Sequence, residues 1–210
     1  MTHFYALFLA VCVTLLPITN PLGIAAIFLS MTEGSTLSER RRQALRGSIY
    51  MFILLCVFFL SGALIMKFFG LTLPGIRIAG GLVVAKIGFD LLTSNEDSAN
   101  TNEEHAEGRK KADISFSPLA MPLLAGPGAI AAIMGLAGNL ETHDIAHYSV
   151  VIAGILTVSA ICWIVLRSSD QLLKFLGVNG AHALTKIMGF LLLCMGVQLV
   201  INGITALHLG

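Results

Sequence analysis

Pro17 to Phe28 reads PITNPLGIAAIF, and Pro122 to Met134 reads PLLAGPGAIAAIM. With Pro21 set against Pro127, Ile24-Ala25-Ala26-Ile27 falls on Ile130-Ala131-Ala132-Ile133. Both stretches lie inside long apolar runs. A proline there removes a backbone hydrogen bond and presses its ring on the carbonyl four residues back, at a cost of about 3 kcal/mol. A second pair stands at nearly the same offset: Arg77-Ile78-Ala79-Gly80 against Lys186-Ile187-Met188-Gly189. The chain is therefore expected to be two similar halves, each opening with an interrupted apolar segment.

The composition says where such segments lie. Hydrophobic residues make up 56% of the 210 and charged residues 12%, about half the roughly 25% charged of a soluble domain. One soluble core of this size cannot hide so much apolar surface, so lipid must cover the rest. A mean hydropathy of +0.84 agrees. The formal net charge of +1 leaves no general basic surface for nucleic acid. Cys12, Cys56, Cys162 and Cys194 all sit in apolar runs without metal or disulfide spacing, so they read as small hydrophobes. No metal or cofactor is expected. Met1 to Tyr5 has no Lys or Arg and no cleavage site follows, so the first apolar segment reads as a span rather than a cleaved signal.

About 20 apolar residues cross a bilayer as a helix. Six candidates follow: Phe4 to Ser30, Ala44 to Met66, Leu71 to Leu92, Phe116 to Ala137, Ser149 to Leu166 and Thr185 to Leu207. β-barrel strands would alternate in short segments, and lipid gives an open backbone no partner, so the spans are helical. Between the third and fourth lies a polar stretch from Ser94 to Asp113, without apolar periodicity, which reads as a disordered linker. The expected architecture is an all-α integral membrane protein of six transmembrane helices. Residues 1–93 form the first three-helix repeat, 94–113 the cytoplasmic linker and 114–210 the second repeat. Three spans is an odd number, so the second half enters inverted, as in many secondary transporters.

Lys and Arg in short loops set orientation. Arg40, Arg41, Arg42 and Arg46 follow span one. Arg109, Lys110 and Lys111 lie in the linker, and Arg167, Lys174 and Lys186 follow span five. Only Lys67 and Arg77 lie on the other side. These loops are expected in the cytoplasm and both termini outside.

Pro21 and Pro127 fall near the middle of spans one and four, so both spans are expected to break there, near the membrane midplane. Asn20-Pro21 also reads as a helix start, with Asn as N-cap and Pro at the first helical position; Gly126-Pro127 is a weaker version. Two half-helices beginning at mid-membrane would aim free N–H groups and positive dipole ends at one place, which suits a carboxylate. Carbonyls freed by the prolines would suit an ammonium group or a cation, and a zwitterionic amino acid presents both charges. Gly23, Gly126 and Gly128 leave room for a ligand beside the backbone. The candidate substrate-binding residues are thus Thr19, Asn20, Pro21, Gly23, Ala125, Gly126, Pro127 and Gly128. A plain helix kink is the competing account of the same prolines.

Other polar residues are candidates for a cavity or gate. Arg77 lies one turn inside span three and either snorkels or holds a carboxylate. Gln198 and Asn202 share a face of span six, and either line a cavity or join helices. Lys86 and Asp90 share a helix face and are expected to pair. No carboxylate stands at mid-membrane, which disfavours a proton carrier built on one. Motifs of metalloproteases, P-loop proteins, dinucleotide-binding folds and α/β-hydrolases are absent, so no catalytic residue is assigned and an enzyme is not expected.

Asn20-Pro21-Leu22-Gly23 with Ile27-Phe28-Leu29-Ser30, Arg77-Ile78-Ala79-Gly80-Gly81, Pro118-Leu119-Ala120-Met121-Pro122 and Ala125-Gly126-Pro127-Gly128 resemble the MarC family of bacterial inner-membrane proteins. So do Met188-Gly189-Phe190-Leu191-Leu192, Gly196-Val197-Gln198 and Ile201-Asn202-Gly203-Ile204. The resemblance runs in order through nearly the whole chain except the linker. It implies six spans in the inner membrane and relation to a group described as small neutral amino acid transporters, typified by an archaeal glycine and alanine carrier. The family takes its name from an antibiotic-resistance locus, which does not itself imply drug export.

The expected function is a secondary transporter of a small solute, a small neutral amino acid above others. Its partners would be the lipid bilayer, a small-molecule substrate and a coupling ion, H⁺ or Na⁺, with a homo-oligomer as an open alternative. Two rivals stand beside it: an exporter of drugs or metabolites, whose cavity should be large and aromatic-lined, and a non-transporting membrane stress-response protein.

Overall fold

The computed structural model describes residues 2–93, 113–138 and 145–208, and every regular element among them is helical. The elements are α1 (Thr2–Thr19), α2 (Pro21–Met31), α3 (Leu37–Phe69), α4 (Leu73–Thr93), α5 (Ser115–Leu124), α6 (Pro127–Gly138), α7 (Ile145–Arg167) and α8 (Ser169–His208). Of the linker expected over 94–113, all but Asp113 lies outside the described residues.

Four helical runs are long and apolar enough to cross a membrane: Phe4–Met31, Leu37–Phe69, Ile145–Arg167 and Thr185–Leu207. A fifth is α5 with α6, bent by 61°. α4 fills the stretch expected as the third span. Every 18-residue window of it contains Arg77, Lys86 and Asp90, which keeps it outside that apolar set. Large apolar side chains such as Val13, Leu64 and Phe68 point outward on these helices. A bilayer is the medium that would cover them.

Local chemistry explains the boundaries. α3 starts at a reciprocal capping box: Thr36 Oγ1 accepts from the Glu39 N–H, and the Glu39 carboxylate accepts from the Thr36 N–H. This start lies earlier than Ala44, so Arg40, Arg41, Arg42 and Arg46 stand on the first turns of a helix and not in a loop. The loop expected after span five is also helical. α8 begins at Ser169, straight after α7, and its irregularity is Gly177, at φ 66°. A residue without Cβ takes up that left-handed conformation without strain.

α5 departs most from expectation. Pro118 and Pro122 lack N–H groups, and the residue before each, Ser117 and Met121, takes extended angles. The hydrogen bonds that remain reach back five residues, from Leu119 N–H to Ile114 O and from Ala125 N–H to Ala120 O. The first part of the expected fourth span is thus irregular from Ser115 onward, well before Pro127. Asp113 anchors its start. Ser115 donates to that carboxylate through both hydroxyl and N–H, and Arg46 contacts it at 3.0 Å. These bonds hold the Asp113 carboxyl below the usual carboxylate range.

The core sits where α1, α2, α3 and α7 meet, around Val11, Leu15, Phe28, Met51, Leu55, Ile155 and Val158. The most extensive helix pair lies beside it, α4 against α8. A Cβ on Gly81 would lie 2.6 Å from the Gly196 carbonyl oxygen. One on Gly88 would lie 2.7 Å from that of Gly189, and one on Gly203 would lie 2.9 Å from that of Pro74. Each step forward along α4 is a step back along α8, so the helices run antiparallel with backbones in contact. Small residues permit this approach, which maximises dispersion contacts where lipid removes any hydrophobic drive. At one end of the seam Lys186 donates to the Leu92 carbonyl, one of the orphan acceptors of the last turn of α4. Lys86 and Asp90, expected to pair, are both exposed, and neither belongs to the two ion pairs found among the described residues.

Gly196→Leu forces the two backbones apart and should lower the folding free energy by about 1–3 kcal/mol. Gly135→Ala, where an added Cβ meets nothing within 4 Å, should leave it unchanged or raised by up to about 1 kcal/mol. Thermal melts of both variants in one detergent check the pair.

Candidate functional site

The break between α1 and α2 is built from its own residues. Asn20 takes the left-handed conformation, φ 38° and ψ 59°, which Asn tolerates better than other side-chain-bearing residues. Its side-chain oxygen accepts from the Gly23 N–H at 3.2 Å, capping α2, while Pro21 opens the helix. Pro21 has no N–H for the Pro17 carbonyl. The Asn20 N–H takes that place, shared between Leu16 O at 3.2 Å and Pro17 O at 3.1 Å. Thr19 Oγ1 also donates to Leu16 O and accepts from the Cys162 thiol of α7. The carbonyl expected to face a ligand is therefore satisfied within the chain, and the α2 N-terminus already holds its cap.

The second break is bent and less enclosed. Ala125 and Gly128 are buried, Gly126 is half-buried and Pro127 is exposed. Thr19, Asn20 and Pro21 of the first break are buried and Gly23 is half-buried. The two breaks are neighbours: a Cβ on Gly128 would lie 3.5 Å from Ile18 Cγ2 and 2.5 Å from Val84 Cγ2. The structure thus brings the two expected break regions together, but as packed backbone.

Open space lies further along. A cavity of about 390 Å³ is walled by Thr14 of α1, Arg77 of α4, Ala131, Ala132, Gly135 and Leu136 of α6, and Leu199, Asn202, Thr205 and Ala206 of α8. It stands at the end of the bundle where α4 begins and α8 ends. None of the eight candidate substrate-binding residues lines it. Two of the three candidate cavity residues, Arg77 and Asn202, do. Gln198 supports it from one turn away, its Nε2 donating to Asn202 Oδ1 at 2.9 Å. The walls are small and apolar, with a guanidinium, an amide and two hydroxyls as the polar groups. Among the described lining residues the cationic group is the Arg77 guanidinium, whose geometry suits a carboxylate or other planar anion.

Thr14 and Thr205 escaped the sequence reading. Thr205 follows Asn202 by three positions on the face already marked by Gln198 and Asn202, a signal that was available. Thr14 stands alone in an apolar run, and only the packing of α1 against α6 brings it to the cavity.

Residues 5–208 match the family model described as MarC family integral membrane protein. The chain belongs to the MarC family. Its curated relatives include the UPF0056 inner membrane protein MarC of Citrobacter koseri, 42% identical over 201 residues and covering 91% of both chains. Proteins of the same name from Escherichia coli strain K12 and Shigella flexneri match equally over the same lengths. No solved structure gives a significant match. Family membership and the apolar helices together make this a multi-pass inner-membrane protein.

Because Asn20 supplies both the left-handed residue and the cap, Asn20→Ala should destabilise by about 1–2 kcal/mol. Asn20→Gly keeps the backbone conformation and should cost only a few tenths of a kcal/mol. Equal losses in paired thermal melts would show that the cap geometry is not what matters.

Proposed function

We propose that the chain is a secondary transporter of a small solute, with a small neutral amino acid as the best fit. In this proposal six spans form two inverted halves that rock about the breaks to give alternating access. The observation that carries it is the cavity of about 390 Å³ in which one guanidinium, Arg77, stands among Ala, Gly and Leu with Asn202, Thr14 and Thr205 as the neutral polar groups. The volume is near the lower end of the roughly 300–1,000 Å³ of small-molecule clefts. A carboxylate would sit on Arg77 in the bidentate manner a guanidinium allows. Amide and hydroxyl oxygens opposite would accept from an ammonium group. Among the described residues the walls carry no aromatic side chain, which favours a small solute over a drug.

Three features support the inverted halves. α3 bears Gly47, into which Leu119 of α5 packs; α7 bears Gly154, into which Val11 of α1 packs. The separations Val11 to Leu119 and Gly47 to Gly154 nearly equal that of Pro21 to Pro127, so each contact is the repeat-mate of the other. The antiparallel run of α4 and α8 is the direction that the third spans of two inverted halves must take. The cavity draws walls from both halves.

The eight break residues belong to this proposal as the packed floor of the pathway, opened when the halves move. Among the described residues no Asp or Glu lines the cavity, so of H⁺ and Na⁺ as coupling ions, Na⁺ is the better fit. The excess of Arg and Lys at the other end of the bundle supports a cytoplasmic position for that end, with both termini outside.

Reconstituted in proteoliposomes, the protein should take up labelled alanine or glycine. Arg77→Gln should reduce uptake about tenfold or more, the equivalent of one charge-assisted hydrogen bond of about 1.5–3 kcal/mol. A thermal melt of the variant, run in parallel, separates lost transport from lost fold. Parental uptake by Arg77→Gln would remove the cavity from the pathway, and no uptake of either amino acid by the parent would remove this substrate class.

A further inference from the structure

At the opposite end of the bundle a second cleft, of about 610 Å³, opens between the start of α3, the end of α7 and the start of α8. Arg40, Arg41, Arg167 and Lys174 line it, against a single carboxylate, Asp170. That carboxylate is taken: Arg40 Nη1 donates to Asp170 Oδ1 at 2.7 Å. The Arg40 side chain is only 15% exposed and also donates to the Thr32 carbonyl, so this pair anchors the cleft wall. Arg41, Arg167 and Lys174 remain, all three exposed, and neither ion pair found among the described residues involves them. Arg167 is held over the ring of Trp163, its guanidinium carbon 5.4 Å from the ring centre.

We propose that this cleft binds the phosphate headgroup of an anionic phospholipid. Three cations facing one opening repel each other until an anion enters, and phosphate accepts from guanidinium and ammonium groups alike. The rim selects a lipid over free phosphate. Leu37 and Ile164 line the same cleft with more than half their surface exposed. Such residues beside a headgroup site lie along acyl chains. Trp163 has the amphipathic ring favoured at the level of lipid headgroups. Basic clefts at the ends of membrane helices are a recurring way of holding anionic headgroups. This site is independent of the transport cavity, at the other end of the helices, and shares no residue with it.

The test uses the full-length protein in detergent, titrated with phosphatidylglycerol, phosphatidylcholine or inorganic phosphate, and read by thermal melting and by lipid retention in native mass spectrometry. Phosphatidylglycerol should raise the melting temperature and stay bound, while phosphatidylcholine and inorganic phosphate should do neither. The triple variant R41Q/R167Q/K174Q should bind phosphatidylglycerol at least about tenfold more weakly while melting like the parent in phosphatidylcholine. If the triple variant is unstable, Arg41→Gln and Lys174→Gln alone should each weaken retention by about fivefold. R41K/R167K keeps the charge and should keep the preference. An unchanged preference for phosphatidylglycerol in the neutralised variants overturns the site. An equal shift with inorganic phosphate overturns the lipid as its ligand.

Discussion

Backbone contact between α4 and α8 is the constraint on which the rest of the structure depends. Gly81, Gly88, Gly189, Gly196 and Gly203 line a seam so close that a single methyl group at any of them would meet the opposing helix at 3.0 Å or less. In a bilayer no hydrophobic force drives two apolar helices together, so close dispersion contact has to do so. The seam fixes the two helices antiparallel, and that sets Arg77, near the start of α4, level with Asn202 and Thr205, near the end of α8. The cavity follows from that alignment, with α1 and α6 closing its other sides.

Around the prolines the chain satisfies part of its own backbone. Pro21 and Pro127 were expected to free carbonyls and N–H groups for a ligand. At the first break the chain repairs itself: the Asn20 N–H serves two carbonyls, and the Asn20 side chain caps the helix that follows. What remains is a compact discontinuity, pinned to α7 through Thr19 and Cys162. At the second, Pro118 and Pro122 spread the irregularity over a longer stretch and bend the span. The cavity lies just beyond both.

Much of this was legible in the chain. Apolar runs placed the helices, and the Asn-Pro pair gave the start of α2 to the residue. Arg77 and Asn202 were visible as polar residues stranded in apolar spans. Arg40 to Arg46 reads as a loop by charge, although Thr36 and Glu39 spell a capping box three residues apart that starts α3 before them. The irregular α5 was missed because its cause lies in two prolines upstream of the one that matched the repeat. Which residues pack at the breaks and which line open space could not come from sequence. Local hydrogen bonding decides whether a freed backbone group is available, and that depends on three-dimensional geometry at Asn20. The α3–α7–α8 cleft was hidden for a similar reason: Arg40 and Asp170 are far apart in the chain and meet only through the packing of the helix ends.

The central claim is that Arg77 reads a carboxylate in a small cavity shared by both ends of the chain. The most direct measurement compares binding of alanine with binding of alaninamide, which keeps the ammonium and methyl groups but lacks the carboxylate, by calorimetry on the purified protein. The account predicts measurable binding of alanine and binding of the amide at least about tenfold weaker. Equal binding of the two would contradict it.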